Sequence, residues 1–364
     1  MFRKLIGYAS MTMAGLALSL STARASFPVP SVHGIFAINA VHLQTSHGIS
    51  TYQVDSSMLT NPLVDGIQLR VFWSDVEPSD GVFAWTTLDN EIAQVKAAGK
   101  VATLRIMPGY SAPSWVYQEG AQGFNFIWNS NGWGPPFCSV ATIPVPWDPV
   151  YQAKYGALIE AFGARYNSNP TVVGVKISGV NTDSEETHLP LQVNVPLSNG
   201  TTGCTSNNDV ANWQAIGYTR TLAINAWEYF GQVFAQAFPS QPLIGVFQPG
   251  GFPPIDNNGN LITGYNGADT IATETIVPYE VSTLASQFLL QNDALSKSWN
   301  WQLQASYAGQ IDTGYQTINA LGSTLPTALN NAIGAGGDFL ELYEGDITNP
   351  SLQSTLTSVH NTLG

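Results

Sequence analysis

The feature that most constrains this fold is an alternation. Short apolar or β-branched runs recur along the chain, and most are followed by a segment with helical spacing. Eight runs have strand character: Gly34–Val41, Gly66–Phe72, Val101–Met107, Val172–Ser178, Leu243–Phe247, Gln287–Gln291, Trp301–Ser306 and Phe339–Tyr343. A strand, a helix and a further strand favour parallel pairing, because the helix supplies the crossover. No Ser/Gly-rich or charged linker divides the 364 residues, and no solenoid or propeller period recurs. The pattern predicts an α/β protein with one (β/α)8 barrel over residues 26–364 and long βα loops. The tight place is 292–300, between the sixth and seventh runs, where no full helix fits.

Helix signals support the alternation. Thr87 is placed to cap Thr87–Lys100, where Leu88, Ile92 and Val95 share a face, acids open the first turn and lysines close the last. Asp148-Pro149 reads as N-cap and first helical residue before a stripe from Tyr151 to Tyr166. A longer helix is expected over Ala211–Ala237, and another from Leu325 to Gly334.

Residues 1–25 have the form of a secretory signal. Arg3 and Lys4 precede an apolar stretch from Met11 to Leu20, and Ala23-Arg24-Ala25 fits the small-x-small cleavage rule. That stretch falls short of the ~20 residues that span a bilayer. The expected product is secreted or periplasmic, free of the membrane and monomeric. Removing Arg3, Lys4 and Arg24 takes the formal charge from −13 to −16. Such an acidic balance excludes nucleic acid and anionic membranes as partners, since clustered basic residues supply affinity for both. Export permits a disulfide, and the two cysteines, Cys138 and Cys204, are candidates for one.

Only 10% of residues are charged, against roughly 25% in ordinary domains, whereas 11% are aromatic. The loops after the third, fourth and fifth strands are rich in Trp, Tyr, Asn, Gly and Pro, and the third holds Trp115, Trp128, Trp133 and Trp147. In (β/α)8 barrels the chemistry sits on loops at the C-terminal strand ends. Aromatic faces beside neutral amides and hydroxyls suit a carbohydrate, whose C–H faces stack while its hydroxyls seek donors and acceptors.

The segment DGIQLRVFWSDVEPSDGVFAW at Asp65–Trp85, followed by TLDNEIAQVKAAG, resembles the second strand and following helix of clan A glycoside hydrolases, retaining (β/α)8 enzymes. Their pattern there is strand-Arg-x-x-Trp, an acid and Pro, Gly, an aromatic, and a helix beginning Leu-Asp. The third strand, ATLRIMPGYSAPSWV, is similar to theirs as well. The resemblance implies that Arg70 helps hold a nucleophilic carboxylate and that Trp73 and Trp115 lie near the sugar. At the fourth strand the chain departs from it. Clan A carries an Asn-Glu pair there, with Glu as acid/base, whereas this chain reads VKISGVNTDSEETHLP. The Glu-x-His-Leu-Pro run favours Glu186, with Glu185 as the alternative, and Asp183-Ser-Glu185 also resembles the ending seen in chitinase-type barrels.

Clan A places its nucleophile after strand seven, but the seventh run here, WQLQASYAG, has no acid. The eighth, DFLELYEGDI, offers Glu341 within an apolar strand and Glu344 at its end. A carboxylate inside such a strand needs a use or a partner; for Glu341 the alternative to catalysis is an ion pair with Arg70 or Arg105. Glycoside hydrolysis uses two carboxylates, one donating a proton to the leaving oxygen and one serving the anomeric centre. The expected pair is Glu186 as acid/base and Glu341 as nucleophile, with Arg70 keeping Glu341 ionised. Asn181, His188, Trp301, Gln302 and Gln304 would contact the sugar. No metal-ligand spacing, serine-hydrolase elbow, phosphate loop or dinucleotide loop occurs, so no metal or cofactor is expected. A barrel that binds carbohydrate without cleaving it is the rival reading.

Overall fold

A computed structural model describes residues 30–38, 54–129, 134–182, 186–192, 207–247, 250–262, 268–296 and 301–364. The strands are β1 (Gly34–Ile38), β2 (Gly66–Phe72), β3 (Val101–Met107), β4 (Gly123–Ile127), β5 (Val140–Pro144) and β6 (Val172–Lys176). They continue with β7 (Leu243–Val246), β8 (Phe288–Asn292), β9 (Thr313–Gln316) and β10 (Phe339–Tyr343). Eight of them close a parallel barrel in the order β1-β10-β9-β8-β7-β6-β3-β2, and β4 and β5 form an antiparallel hairpin in the loop after β3.

The helices begin with α1 (Ser56–Thr60), α2 (Trp73–Val76), α3 (Thr86–Ala97), α4 (Ser114–Gln118), α5 (Pro149–Tyr166) and α6 (Asp209–Ala215). Then come α7 (Arg220–Ala237), α8 (Thr270–Leu284), α9 (Gln302–Ala305), α10 (Leu325–Gly334), α11 (Glu344–Ile347) and α12 (Gln353–Leu363). Asp148 caps α5 as expected, accepting from the Tyr151 amide with Pro149 at the first helical position. The expected α3 starts one residue earlier, at Thr86, and Thr87 does not cap it. The long helix over Ala211–Ala237 is two: α6 stops at a turn with Gly217 at φ 81°, and Thr219 caps α7.

The barrel is the expected one, with one strand relocated. Residues 301–306, read as strand seven, form α9 after Trp301, and the seventh barrel strand is β9, twelve residues on. Its sequence, TGYQ, looks like a turn. The glycine is there for packing: a side chain at Gly314 would overlap the Phe339 ring, and Gly66 is crowded by Phe36 in the same way. Phe36 and Phe339 meet edge to face at 6.2 Å and join Val32, Ile244, Val246 and Leu289 in a small apolar core. Strand residues of the other parity, such as Leu69, Val71, Leu104, Ile106, Leu340 and Leu342, belong to the large core that packs against the helices. The relocation also resolves the tight place after the sixth strand, since α9 and its flanking turns now fit before β9.

Candidate active site

Above the apolar floor the barrel interior turns polar. Glu341 Oε2 on β10 accepts from Lys176 Nζ on β6 at 2.6 Å, Gln68 Nε2 on β2 at 2.5 Å and Gln291 Nε2 on β8 at 2.7 Å. Thr103 Oγ1 lies 3.5 Å from the other oxygen, and Gln68 also donates to Gln316 Oε1 on β9 at 3.1 Å. None of the donors to Glu341 stands on a strand adjacent to β10, so these bonds cross the barrel. Glu341 and Lys176 are both 0% exposed. Burial lowers the Lys176 ammonium from its ordinary pKa, and Glu341 and Asp293 oppose that shift.

This corrects one expectation. The cation on Glu341 is Lys176; Arg70 instead gives its Nε to Gln68 Oε1 at 2.5 Å. Glu341 Oε2 is enclosed by three donors and the residue is 0% exposed, which makes it the interior counter-ion of Lys176. The true seventh strand carries no acid, and the inward residue at its end is Gln316.

The parallel strands all run towards one mouth, so the residue two positions further on each strand stands nearer that mouth. Above Gln68 is Arg70, above Thr103 is Arg105, and above Gln291 is Asp293, whose Oδ1 accepts from Gln291 Nε2 at 2.7 Å. Arg105 lies in register with Arg70; burial first and the Arg70 charge second hold its pKa well below the usual arginine value.

Glu186 sits on the rim after β6, 18% exposed, with Oε2 4.0 Å from His188 Nδ1. Its segment is pinned on both sides. Asn181 accepts from the Gly179 amide at 2.6 Å and donates to the Glu186 carbonyl at 2.8 Å. The Thr187 amide donates to Val246 O at 2.9 Å, the Thr187 hydroxyl accepts from Trp227 Nε1 at 3.0 Å, and the Leu189 amide reaches Gly251 O at 2.8 Å. The loop after β3 comes so close that a side chain at Gly109 would strike Thr182 O. Asn181 is therefore a positioner of the rim, and His188 is the ionisable neighbour of Glu186. Glu185 lies outside the described residues, as do Cys204 and residues 1–29. Cys138 is not a free thiol. Glu344, at the start of α11, has its pKa raised by burial and by Asp55.

Several residues expected to touch sugar are committed elsewhere. Trp73 is fully buried among Trp115, Tyr151 and Tyr155, with its indole donating to Glu77 Oε2 at 2.8 Å. Glu77 Oε1 in turn accepts from the Gly81 amide at 2.9 Å. The Arg-x-x-Trp, Glu-Pro, Gly signature is thus largely a knot that closes the turn after β2. Trp115 gives its indole N–H to Glu77 O at 3.1 Å and its ring to Trp73 and Lys154. Trp128 is buried, Trp147 packs on Trp213 and Tyr218, and among the described residues no Trp is exposed. Gln304 is buried and staples Phe247 O and Gln291 O, at 2.9 and 3.2 Å, while Gln302 is exposed on α9 and Trp301 packs partly buried on the main core. Sequence reasoning missed Lys176, Gln291, Gln316 and Asp293. Their signal was the strand alternation: polar residues on the inward parity near the C-terminal ends of the strands, as in Gln68 and Arg70 of β2, Lys176 of β6, and Gln291 and Asp293 at the end of β8, mark an interior built for polar contacts.

The model of a family described as beta-galactosidase, glycoside hydrolase family 42, matches residues 46–188, from before β2 through the Glu186 segment. No curated protein matches the sequence. Among solved structures, the catalytic domain of beta-amylase from Paenibacillus polymyxa is 12% identical, with 91% of this chain and 98% of that one covered and a TM-score of 0.60. The beta-galactosidase from the psychrophilic Marinomonas ef1 is 11% identical, with a TM-score of 0.50 over 90% of this chain and 59% of that one. The chain therefore spans about three-fifths of that galactosidase. Likeness at such identity shows the fold. That fold is a (β/α)8 barrel, and the family match lies over its second to fourth barrel strands.

Proposed function

We propose that the protein is a secreted glycoside hydrolase that cleaves O-glycosidic bonds in oligo- or polysaccharides, with Glu186 as the acid that protonates the leaving oxygen. One observation carries this reading. Glu186 stands at the C-terminal rim of the fourth barrel strand, on a segment pinned by Asn181 and Thr187, beside His188, and inside the family match. A proton donor needs a fixed position facing the cleft, and a rim bonded on both flanks supplies it. Retention, the outcome in clan A, requires a second carboxylate about 5–5.5 Å from the first, and about 6.5–9.5 Å would give inversion. The retaining assignment rests on the resemblance. Export by residues 1–25, a Cys138–Cys204 bridge and a monomeric state complete the reading; thiol titration with and without reductant tests the bridge, and two free thiols in the native protein would exclude it.

A second reading, a barrel that binds carbohydrate without hydrolysing it, is favoured by one observation: Glu341 is sealed in the interior and strand seven ends in Gln316. A panel of aryl-glycosides and polysaccharides separates the two. Hydrolysis by the wild type that Glu186→Gln removes supports the first reading; saturable binding with no product from any member supports the second.

A further inference from the structure

The segment that carries Glu186 is held by indole N–H groups from two helices. Trp227 on α7 is 2% exposed and donates from Nε1 to Thr187 Oγ1 at 3.0 Å. Trp213 on α6 is 0% exposed and donates from Nε1 to Pro190 O at 2.8 Å. Both rings are fixed by their surroundings. Trp213 stacks on Phe124 with ring centroids 3.6 Å apart, and Trp227 lies 4.9 Å from the Phe247 ring. Phe247 is itself tied down: its amide donates to Gln291 O at 2.9 Å, and its carbonyl accepts from Gln304 Nε2 at 2.9 Å. The wall behind Thr187 is therefore continuous with the barrel strands.

Thr187 follows Glu186 in the chain and is 1% exposed, whereas the Glu186 and His188 side chains are 18% and 23% exposed. Neighbours on an extended stretch point to opposite sides, and this one joins Asn181 by a parallel bridge at His188. With Thr187 turned inward to Trp227, Glu186 and His188 turn outward together and approach to 4.0 Å. The Thr187 backbone is fixed too, since its amide donates to Val246 O and a side chain at Gly251 would strike its carbonyl oxygen. A buried hydroxyl or indole N–H left without its partner is costly. Rotating the segment would break the Thr187–Trp227 bond and turn the Glu186 carboxylate towards the Trp227 and Phe247 rings. Resting on the reading of Glu186 as the acid, we propose that Trp227, acting through Thr187, is a positioning residue for the reaction. Its indole–hydroxyl bond selects the side from which Glu186 meets the leaving oxygen, and Trp213 holds the far end of the same segment.

The test takes the aryl-glycoside that the wild type turns over best, once with a poorly acidic phenol and once with a dinitrophenol as leaving group. Misplacing a catalytic group by about 1 Å costs about 100-fold. Thr187→Val, which keeps the shape and removes the hydroxyl, should therefore lower kcat about 10- to 100-fold for the phenol, with KM unchanged, and far less for the dinitrophenol. Trp227→Phe should do the same, and the double variant should lose no more than either single one, because each already lacks the one bond. Thr187→Ser, which keeps the hydroxyl, should keep most of the rate. Crystal structures of the wild type and Thr187→Val give a readout that needs no turnover, and the Glu186 carboxylate should be displaced in the variant. An unmoved Glu186 overturns the proposal, as does a rate loss equal for both leaving groups or one that only follows Tm. If Glu186→Gln abolishes phenol release while Thr187→Val and Trp227→Phe do not slow it, the positioning role falls and the acid stands. If Glu186→Gln leaves hydrolysis intact, or the wild type hydrolyses nothing, the acid reading falls and takes the role of Trp227 with it.

Discussion

If Glu341 is the internal partner of Lys176, removing one charge must hurt stability and removing both must restore it. Glu341→Gln leaves Lys176 as a cation 0% exposed without the carboxylate that meets it at 2.6 Å. Breaking a buried pair by deleting one member costs about 3–5 kcal/mol, while replacing both charges is often near neutral. With unfolding entropy near 2.1 cal/mol/K per residue, a loss of about 4 kcal/mol in a domain of this size lowers Tm by roughly 5–6 °C. Thermal unfolding followed by circular dichroism should therefore show a drop of that order for Glu341→Gln and recovery of most of it in Lys176→Met/Glu341→Gln. Hydrolysis measured well below both transitions should survive in the double variant. A single variant as stable as the wild type refutes the counter-ion reasoning. A stable double variant that folds but turns over nothing would return Glu341 to a chemical role.

Other consequences follow from the same geometry. Glu280 on α8 is 1% exposed against α7, its Oε1 lacks a partner, and burial, then the Glu228 charge, pushes its pKa to about 8. The folded state thus holds a proton that the unfolded chain releases near pH 4.3, so this group's contribution to stability is complete at low pH and is lost as pH rises towards about 8. Glu280→Gln should flatten the fall in Tm between pH 5 and 8.5 and exceed the wild type at the upper end; parallel curves would count against a buried neutral acid. Gly314→Ala should destabilise by about 1–3 kcal/mol through overlap with Phe339, and adding Phe339→Leu should recover part of it; unchanged Tm in the single variant contradicts that packing. Trp73→Phe removes the indole bond to Glu77 and should lower Tm with kcat and KM unchanged; a raised KM at unchanged stability would put Trp73 on the substrate after all.

The fold was readable because seven barrel strands advertise themselves by their outward faces, which are apolar to pack on helices, as in Leu69-Arg70-Val71 and Leu340-Glu341-Leu342. The eighth was hidden. TGYQ has a glycine where Phe339 needs space and a glutamine where Gln68 needs a partner, and only Tyr315 faces the helices. Meanwhile Trp301, Leu303 and Ala305 alternate like a strand but sit on α9. The site was less legible for a different reason. Sequence shows that Glu341 needs a partner but not which interior cation crosses the barrel to meet it, because register around a closed sheet is not written in any one strand. The aromatic loops misled in the same way, since Trp115, Trp128 and Trp147 form the packing between loops and helices. At the fourth barrel strand the sequence shows a short acidic run after an apolar strand, and the structure pairs Asn181 with His188 on either side of it.

In the proposed reaction Glu186 donates the proton to the leaving oxygen. The most direct test of this step is kcat/KM for aryl-glycosides of graded leaving-group acidity, measured on the wild type, Glu186→Gln and Glu185→Gln. An acid removed from a glycosidase lowers the rate by about 10²–10⁴ for a poorly acidic phenol, and by far less for a dinitrophenol that leaves without help. Glu186→Gln should show that steepened dependence and Glu185→Gln should not. A loss independent of the leaving group, or a steepened dependence in Glu185→Gln alone, would contradict the account.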